Sequence, residues 1–142
     1  MFVNTRQQGD RGELSAALWF AGKGATVCWP IGHSPDWDLV VEWDEKLYRV
    51  QVKTTTQLRN GRWLAMICTR GGNQSWNGLS KRFSAARCDL LFVHVGDGRR
   101  WMIPAEAVEG TTGIALGGQK YSEWEVEPGD PIPGPSLVEG AV

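Results

Sequence analysis

Two consecutive stretches of the sequence decide the fold: Ser34-Pro35-Asp36-Trp37-Asp38-Leu39-Val40-Val41-Glu42 and Leu47-Tyr48-Arg49-Val50-Gln51-Val52-Lys53-Thr54. Apolar residues recur at every second position in both, a period that is typical of half-buried β-strands. Asp44-Glu45 lies between them and fits a two-residue turn. The sequence therefore predicts a β-hairpin over this region.

The turn fixes the register of the hairpin. If Trp43 faces Lys46, then Asp38 lies opposite Gln51, at a side-chain separation of about 5 Å, and Lys53 is the diagonal neighbour. One face then carries a carboxylate, an amide and an ammonium group. A cross-strand ion pair on a solvated sheet would explain Asp38 and Lys53 equally well. Asp36 projects to the same side, but its place after Pro35 favours a turn residue.

A helix is expected before the hairpin, with Asp10 as its N-cap and an end at Gly22 to Gly24. Its apolar residues at helical spacing are Leu14, Ala17, Leu18 and Ala21. Glu13 then lies in the first turn, where a carboxylate complements the helix dipole. Ala25 to Trp29 forms a short strand that ends at Pro30.

These motifs resemble the active centre of the PD-(D/E)XK nuclease superfamily. The order Gly9-Asp10-Arg11-Gly12-Glu13, Pro30-x-Gly32, Asp38-Leu39-Val40-Val41 and Val50-Gln51-Val52-Lys53-Thr54 looks most like the group I intron-encoded homing endonucleases of that fold. A weaker echo follows at Cys88-Asp89-Leu90 and Trp101-Met102-Ile103-Pro104. Gln51 departs from the pattern, since Glu or Asp is usual there.

The resemblance implies an α/β (α+β) domain with an αβββαβ core and a mixed central sheet. It implies Mg²⁺ as the cofactor, with Mn²⁺ as a substitute, held by Glu13, Asp38 and the Gln51 carbonyl, because Mg²⁺ prefers oxygen ligands. Lys53 would hold the attacking water or stabilise the phosphate as a fixed charge. The implied products of cutting double-stranded DNA carry 5′-phosphate and 3′-hydroxyl ends.

Length and composition fit one domain, which we place at residues 1–127 with a Pro/Gly-rich mobile tail at 128–142. No apolar run approaches the roughly 20 residues that a membrane span needs, so no membrane partner is expected. Cys28, Cys68 and Cys88 show neither disulfide nor zinc-site spacing. Unpaired thiols fit a reducing cytoplasm, as in a bacterial or phage protein.

Charge is strongly segregated although the net charge is −1. No Asp or Glu occurs between Lys46 and Cys88, a tract with nine basic residues, which predicts a surface that faces a polyanion. The polar loop near Trp76 offers amides to read base edges and an aromatic ring to stack or wedge; an ordinary loop is the alternative. The DNA-binding candidates are Arg49, Arg59, Arg62, Arg70, Asn73, Gln74, Trp76, Asn77, Lys81 and Arg82.

The remaining elements complete the expected core. A strand is predicted over residues 63–69, after the turn Arg59-Asn60-Gly61-Arg62, and a short helix over residues 80–87. The apolar run at 90–95 predicts a strand covered on both faces, with His94 as a core residue. A further strand over residues 100–104 and a last element over 121–126 follow. His33, in a loop, is an outside candidate for a phosphate contact.

Three functions are compatible with this pattern. The first is a sequence-specific homing endonuclease, and the second is another nuclease of the superfamily, such as a Holliday-junction resolvase or a restriction or toxin nuclease. The third is a catalytically decayed DNA-binding module, which Gln51 suggests and the intact Glu13, Asp38 and Lys53 oppose. Because one short chain offers one active site, cutting both strands predicts a homodimer or a dimer of dimers. We expect the apolar elements after Leu90 to form its interface.

Overall fold

The computed structural model describes residues 5–70 and 80–133, without the side chains of Thr69, Arg70 and Ser80. The chain begins with helix α1 (Thr5–Gly22), followed by strands β1 (Thr26–Cys28), β2 (Leu39–Trp43), β3 (Lys46–Thr55), β4 (Leu58–Arg59), β5 (Arg62–Met66), β6 (Thr69–Arg70), β7 (Ser80–Lys81), β8 (Leu90–Val95), β9 (Arg100–Pro104), β10 (Gly113–Leu116) and β11 (Glu125–Val126). Short 3₁₀ helices lie at Ala105–Val108 and Ser122–Trp124.

The central sheet has six strands in the order β1-β2-β3-β8-β9-β11. Strand β3 pairs antiparallel with β2 and parallel with β8, so the sheet is mixed. This confirms the predicted fold class, an α+β domain with a mixed central sheet. Within the described ranges, no helix is long and apolar enough to cross a bilayer.

The β2–β3 hairpin forms in the predicted register, with Trp43 opposite Lys46 and Leu39 opposite Val50. Asp44 and Glu45 both adopt positive φ angles of 52° and 67°, as the two central residues of a tight hairpin turn require. Regular pairing stops at Leu39. The chain bends at Asp38, and beyond Val50 strand β3 continues paired with β8.

The two faces of the sheet bury different clusters. Helix α1 packs Ala16, Trp19 and Phe20 against Val50, Phe92 and their neighbours on one face. On the other face, Leu91, Val93, Trp101 and Ile103 pack against the smaller sheet β10-β5-β4. Strand β8 is buried along its whole length, as the continuous apolar run predicts.

Helix α1 departs from the sequence prediction in its start and its buried face. It begins at Thr5, so Asp10 is not its cap and Glu13 lies in its middle. Leu14 and Leu18 are 62% and 75% exposed, whereas Trp19 and Phe20 are buried, because the rings bury more apolar area and decide how the helix turns toward the sheet. A Cβ at Gly12 would overlap the Thr54 methyl group, so this glycine allows α1 to approach β3 closely.

The elements between β3 and β8 also differ. The predicted helix over residues 80–87 is wrong: β7 and a turn occupy this range. The strand expected over 63–69 is split into β5 and β6, and β5 pairs with β4 and β10 instead of entering the central sheet. Strand β4 is joined to β5 by a tight turn, but β10 lies nearly 50 residues further along the chain, so the local pattern carries no signal for that pairing. Asn60 and Gly61, both at positive φ, form the predicted turn.

Part of the segment expected to be a mobile tail is packed. In residues 128–133, Gly129 and Ile132 donate backbone hydrogen bonds to the β8–β9 turn, and the Ile132 side chain is buried. His94, a core residue as predicted, contacts the Asp130 carbonyl with one ring nitrogen and the Ser15 hydroxyl with the other. Residues 134–142 lie outside the described residues, and the domain boundary at 127 stays a prediction.

Candidate active site

Asp38 is held by the strand next to it. Its backbone N–H donates to the Val50 carbonyl at 2.8 Å, and its Oδ2 accepts the Val52 backbone N–H at 2.7 Å. Regular pairing between β2 and β3 ends before Val52, so no backbone carbonyl of β2 accepts the Val52 N–H. The Asp38 carboxylate accepts it instead. The same Oδ2 accepts the Gln51 side-chain amide at 3.0 Å. The predicted neighbourhood of Asp38 and Gln51 is therefore present.

Gln51 is buried, with 6% of its surface exposed. An ionised carboxylate only accepts hydrogen bonds, so the amide nitrogen must face Asp38 and the carbonyl Oε1 must face away. That oxygen is fully buried and has no hydrogen-bond partner among the described residues. A buried acceptor without a partner costs about 1–3 kcal/mol, so an orphaned oxygen beside a carboxylate points to a functional site.

Lys53 follows two residues later on the same face of β3. It is half-buried, and it forms no ion pair with the described residues. Its positive charge nevertheless lowers the pKa of Asp38, so the ammonium group lies near that carboxylate. Lys53 is thus close to the site and is not consumed by a structural ion pair.

Glu13 reaches the same site from α1. Its carboxylate accepts a hydrogen bond from the Trp29 side chain and repels the Asp38 carboxylate. His33, an exposed loop residue, exerts an attractive charge effect on both acids. The structure therefore brings together Glu13, Asp38, Gln51 and Lys53, the four residues predicted to be catalytic, with His33 nearby.

Burial and repulsion shape the electrostatics of the two acids. The pKa of Asp38 is raised mainly by burial, against the opposing effects of the Val52 hydrogen bond and the Lys53 charge. The pKa of Glu13 is raised by burial and then by repulsion from Asp38. Two desolvated carboxylates that repel one another are stabilised by a cation between them.

The donor set fits a hard divalent cation. Among the described residues no group of three His, Cys, Asp or Glu side chains is arranged to hold a metal ion. Two carboxylates and one orphaned carbonyl oxygen remain, and oxygen donors of this kind suit Mg²⁺, which keeps several of its own waters. Gln51 contributes a neutral oxygen beside the two carboxylates, so this donor set carries one negative charge fewer than three acids would.

The predicted DNA-binding residues fall into three groups. Arg59, Arg62 and Arg82 are exposed, and Lys81 is half-buried. Arg49 instead directs its guanidinium at Asp89, with contacts of 3.0 and 3.1 Å. Asn73, Gln74, Trp76, Asn77 and the Arg70 side chain lie outside the described residues.

The sequence analysis missed an ion-pair network beside the site. Asp36, treated as a turn residue, contacts Arg87 at 3.3 Å, and Asp89 binds both the backbone and side chain of Arg49. The partners are separated by about 40 to 50 positions, so no local pattern could reveal them. The only sequence signal was the Cys88-Asp89-Leu90 echo of the family motifs.

Comparison with known proteins places this geometry in context. The fold is similar to that of a bacterial homing endonuclease, I-Ssp6803I, with a TM-score of 0.70 and 20% sequence identity over 84% of this chain and 82% of that chain. No curated protein matches the sequence. The family model described as PD-(D/E)XK endonuclease matches residues 3–115, most of the chain. This protein therefore belongs to the PD-(D/E)XK endonuclease family.

Proposed function

We propose that this protein is a Mg²⁺-dependent endonuclease of the homing type that hydrolyses phosphodiester bonds in double-stranded DNA. The observation that carries the proposal is the buried, unpartnered Oε1 of Gln51 beside Asp38, in a family of endonucleases. A decayed binding module would have no reason to retain this costly acceptor next to two carboxylates with raised pKa values.

Three oxygen donors are proposed to hold the cation: Asp38, Glu13 and the Gln51 carbonyl. When bound, Mg²⁺ lowers the pKa of a coordinated water and neutralises charge on the scissile phosphate. The amide nitrogen of Gln51 fixes the Asp38 carboxylate, and the Trp29 hydrogen bond fixes Glu13. Both acids are thus oriented before substrate arrives, which reduces the reorganisation needed for the reaction.

Lys53 is proposed to supply the fixed positive charge of the reaction. Its ammonium group has no ion-pair partner among the described residues, so it can orient the attacking water or stabilise the phosphate as negative charge develops. Attack by water with loss of the 3′ oxygen leaves 5′-phosphate and 3′-hydroxyl ends. His33, which is exposed and whose charge acts on both acids, is proposed as a contact of the substrate phosphate.

The homing assignment is supported by the order of the sequence motifs and by the fold shared with a homing endonuclease. We also propose that the protein works as a homodimer or a dimer of dimers in the cytoplasm, since each chain offers one such site and two strands are cut. Strand β8 is buried within the chain, so the interface is proposed to use the other apolar elements after Leu90 and the surplus tryptophans.

The first test uses charge removal at two positions of one hairpin. Asp38→Asn removes a proposed metal ligand, whereas Asp44→Asn removes an exposed carboxylate in the turn, where asparagine tolerates the positive φ. With Mg²⁺ and plasmid DNA, we expect Asp38→Asn to lose cleavage by more than about 100-fold and Asp44→Asn to cut like the parent. Normal cleavage by Asp38→Asn would refute the proposed site.

Substrate choice tests the finer assignment. A homing enzyme is expected to cut a randomised duplex library at one long recognition sequence. Preferential cutting of four-way junctions would instead indicate a resolvase. Binding of duplex DNA without cleavage in Mg²⁺ or Mn²⁺ would favour the decayed module. Sedimentation with and without duplex DNA tests the assembly, and a monomer in both conditions would contradict the two-fold arrangement.

A further inference from the structure

The loop that carries Asp38 is tied to the segment before β8. Arg87 Nε lies 3.3 Å from Asp36 Oδ1, and Arg87 also donates a 2.7 Å hydrogen bond to the Arg82 carbonyl, which anchors the guanidinium. Asp36 Oδ1 is buried without an aligned hydrogen bond, so the contact with Arg87 is an ion pair. The Asp36 backbone is further fixed by the Ser34 hydroxyl.

A second ion pair ties the same segment to β3. Asp89 accepts the Nε and Nη2 of Arg49 at 3.0 and 3.1 Å and the Arg49 backbone N–H at 2.8 Å. The Asp89 backbone N–H donates to the Arg49 carbonyl in return. Paired, two-pronged contacts of this kind are geometrically specific. Arg49 stands two residues before Gln51 on β3.

The two ion pairs are adjacent to each other. Arg87 and Asp89 are two residues apart, and they hold residues two positions before Asp38 and two positions before Gln51. The pKa of Arg49 is raised chiefly by its hydrogen bond to Asp89, and Asp36 adds a further attractive contribution, so all the charges share one neighbourhood. Trp37, between Asp36 and Asp38, packs on the buried cluster of that face.

We propose that Asp36, Arg87, Arg49 and Asp89 form a brace that sets the spacing between the Asp38 carboxylate and the Gln51 carbonyl, and thereby the affinity of the site for a divalent cation. These are positioning residues, and the inference rests on the proposed function. Groups that orient metal ligands typically contribute about 10–100-fold to metal affinity or activity.

The brace gives Arg49 and Arg87 a role other than DNA contact. Arg49 directs Nε, Nη1 and Nη2 at acceptors within the protein, the last two at the Ala86 carbonyl and Asp89. Arg87 directs Nε and Nη2 inward in the same way. A phosphate would have to displace these contacts. Removing either arginine should therefore change metal binding more than the salt dependence of DNA binding.

The test measures Mn²⁺ binding to the protein without DNA, by electron paramagnetic resonance, and then cleavage kinetics. The variants are Asp36→Asn and Arg87→Met, with Arg87→Lys as the conservative change. The controls are Glu125→Gln and Arg99→Met, which remove an ion pair of similar exposure at the β9–β11 edge of the sheet. Thermal unfolding of all five shows how much stability each change costs.

We expect Asp36→Asn and Arg87→Met each to weaken Mn²⁺ binding about tenfold and to lower kcat with an unchanged salt slope of DNA binding. Arg87→Lys should recover most of the affinity. The double variant should bind no more weakly than either single one, because the pair acts as a unit. The controls should lose a similar amount of stability and no metal affinity.

Two outcomes would overturn the brace. One is parent-like Mn²⁺ affinity in both Asp36→Asn and Arg87→Met, which would make the pair purely structural. The other is a reduced salt slope with unchanged metal affinity for Arg87→Met, which would make Arg87 a phosphate contact. Neither result changes the loss of cleavage expected from Asp38→Asn, so the proposed function would still stand. Loss of the proposed function itself would appear as full cleavage by Asp38→Asn.

Discussion

The two faces of β3 differ in what they bury and in whether their polar groups have partners. Toward α1, Val50 and Val52 are buried in a cluster that includes Trp19, Phe20 and Phe92. Toward the other side, Gln51 is buried with an orphaned carbonyl, and Lys53 is half-buried without an ion-pair partner among the described residues. One strand therefore carries a face that stabilises the fold and a face with a buried, unpartnered acceptor that costs stability, on which the proposed catalytic groups lie.

The difference between the two faces shows that the candidate site depends on the rest of the sheet for its stability. Orphaned acceptors and repelling carboxylates lower the free energy of unfolding, and they persist only where a packed scaffold holds them. The helix-facing side of β3 is that scaffold. Substitutions on the helix-facing side should therefore lower stability, and substitutions on the side of Gln51 and Lys53 should lower cleavage. A variant with the opposite effect would contradict this division between the two faces.

The largest effect is expected at Lys53. Lys53→Met keeps much of the aliphatic side chain but removes the charge proposed to act on the phosphate, so cleavage should fall by about 10²–10³-fold. Lys46→Met, in an exposed position of the same strand, is the matched control and should cleave like the parent. Single-turnover cleavage at saturating Mg²⁺ measures both. Equal rates for the two variants would remove Lys53 from the mechanism.

On the opposite face, Val50→Ala should act on stability. The side chain is fully buried, so its truncation should lower the free energy of unfolding by roughly 2–3 kcal/mol through lost burial and a residual cavity. Leu47→Ala, on the same strand but 69% exposed, should change it by no more than about 0.5 kcal/mol. Urea denaturation checks the pair. Similar losses from both would mean that the helix-facing side is not the main scaffold.

Gln51 lies between these extremes, since it is buried and belongs to the reactive face. Gln51→Ala should raise the Mg²⁺ concentration needed for half-maximal cleavage by about 10–100-fold, because it removes an oxygen donor and the amide that holds Asp38. Gln51→Glu should bind Mg²⁺ more tightly and keep some activity, since it adds a negative charge to the site. A parent-like Gln51→Ala variant would show that Gln51 is a structural residue of the sheet and not a part of the site.

The smallest effect is a gain in stability from Asp38→Asn. Burial raises the pKa of Asp38, so the folded protein binds its proton more readily than the unfolded chain and its stability contribution falls as pH rises from near 4 upward. Removing the charge should therefore stabilise the protein without metal at neutral pH and change little in acid. Thermal unfolding against pH checks this sign. A destabilised variant at neutral pH would mean that the Val52 hydrogen bond outweighs burial.

Much of the site was readable from the sequence because it is local. The spacing of Asp38, Gln51 and Lys53 follows from a two-residue turn and the period of a strand, and both depend only on neighbours. Glu13 was identified through the family resemblance, although its helix begins earlier than expected. The sequence could not predict that the Gln51 carbonyl lacks a hydrogen-bond partner, because this depends on which donors the fold places near it.

What the sequence did not predict depends on partners elsewhere in the chain. The DNA-facing role of the basic tract stays a prediction, and within it Arg49 and Arg87 pair with Asp89 and Asp36. The helix expected over residues 80–87 gave way to β7 and a turn, and β5 found its partner in β10. The contacts of Arg49, Arg87 and β5 lie tens of residues away, and β7 pairs with β6 across a separation of 10 to 12 residues. Hydrophobic periodicity and charge counts carry no information on such pairings.

The sequence by itself determined the hairpin, its register, the buried strand β8 and the residue types that meet at the site, because turn length and side-chain alternation act over a few residues. Only the tertiary structure decided which face of α1 is buried and which arginines form ion pairs with acids elsewhere in the chain. Those choices depend on close packing and on ion pairs between segments that only folding brings within a few ångströms.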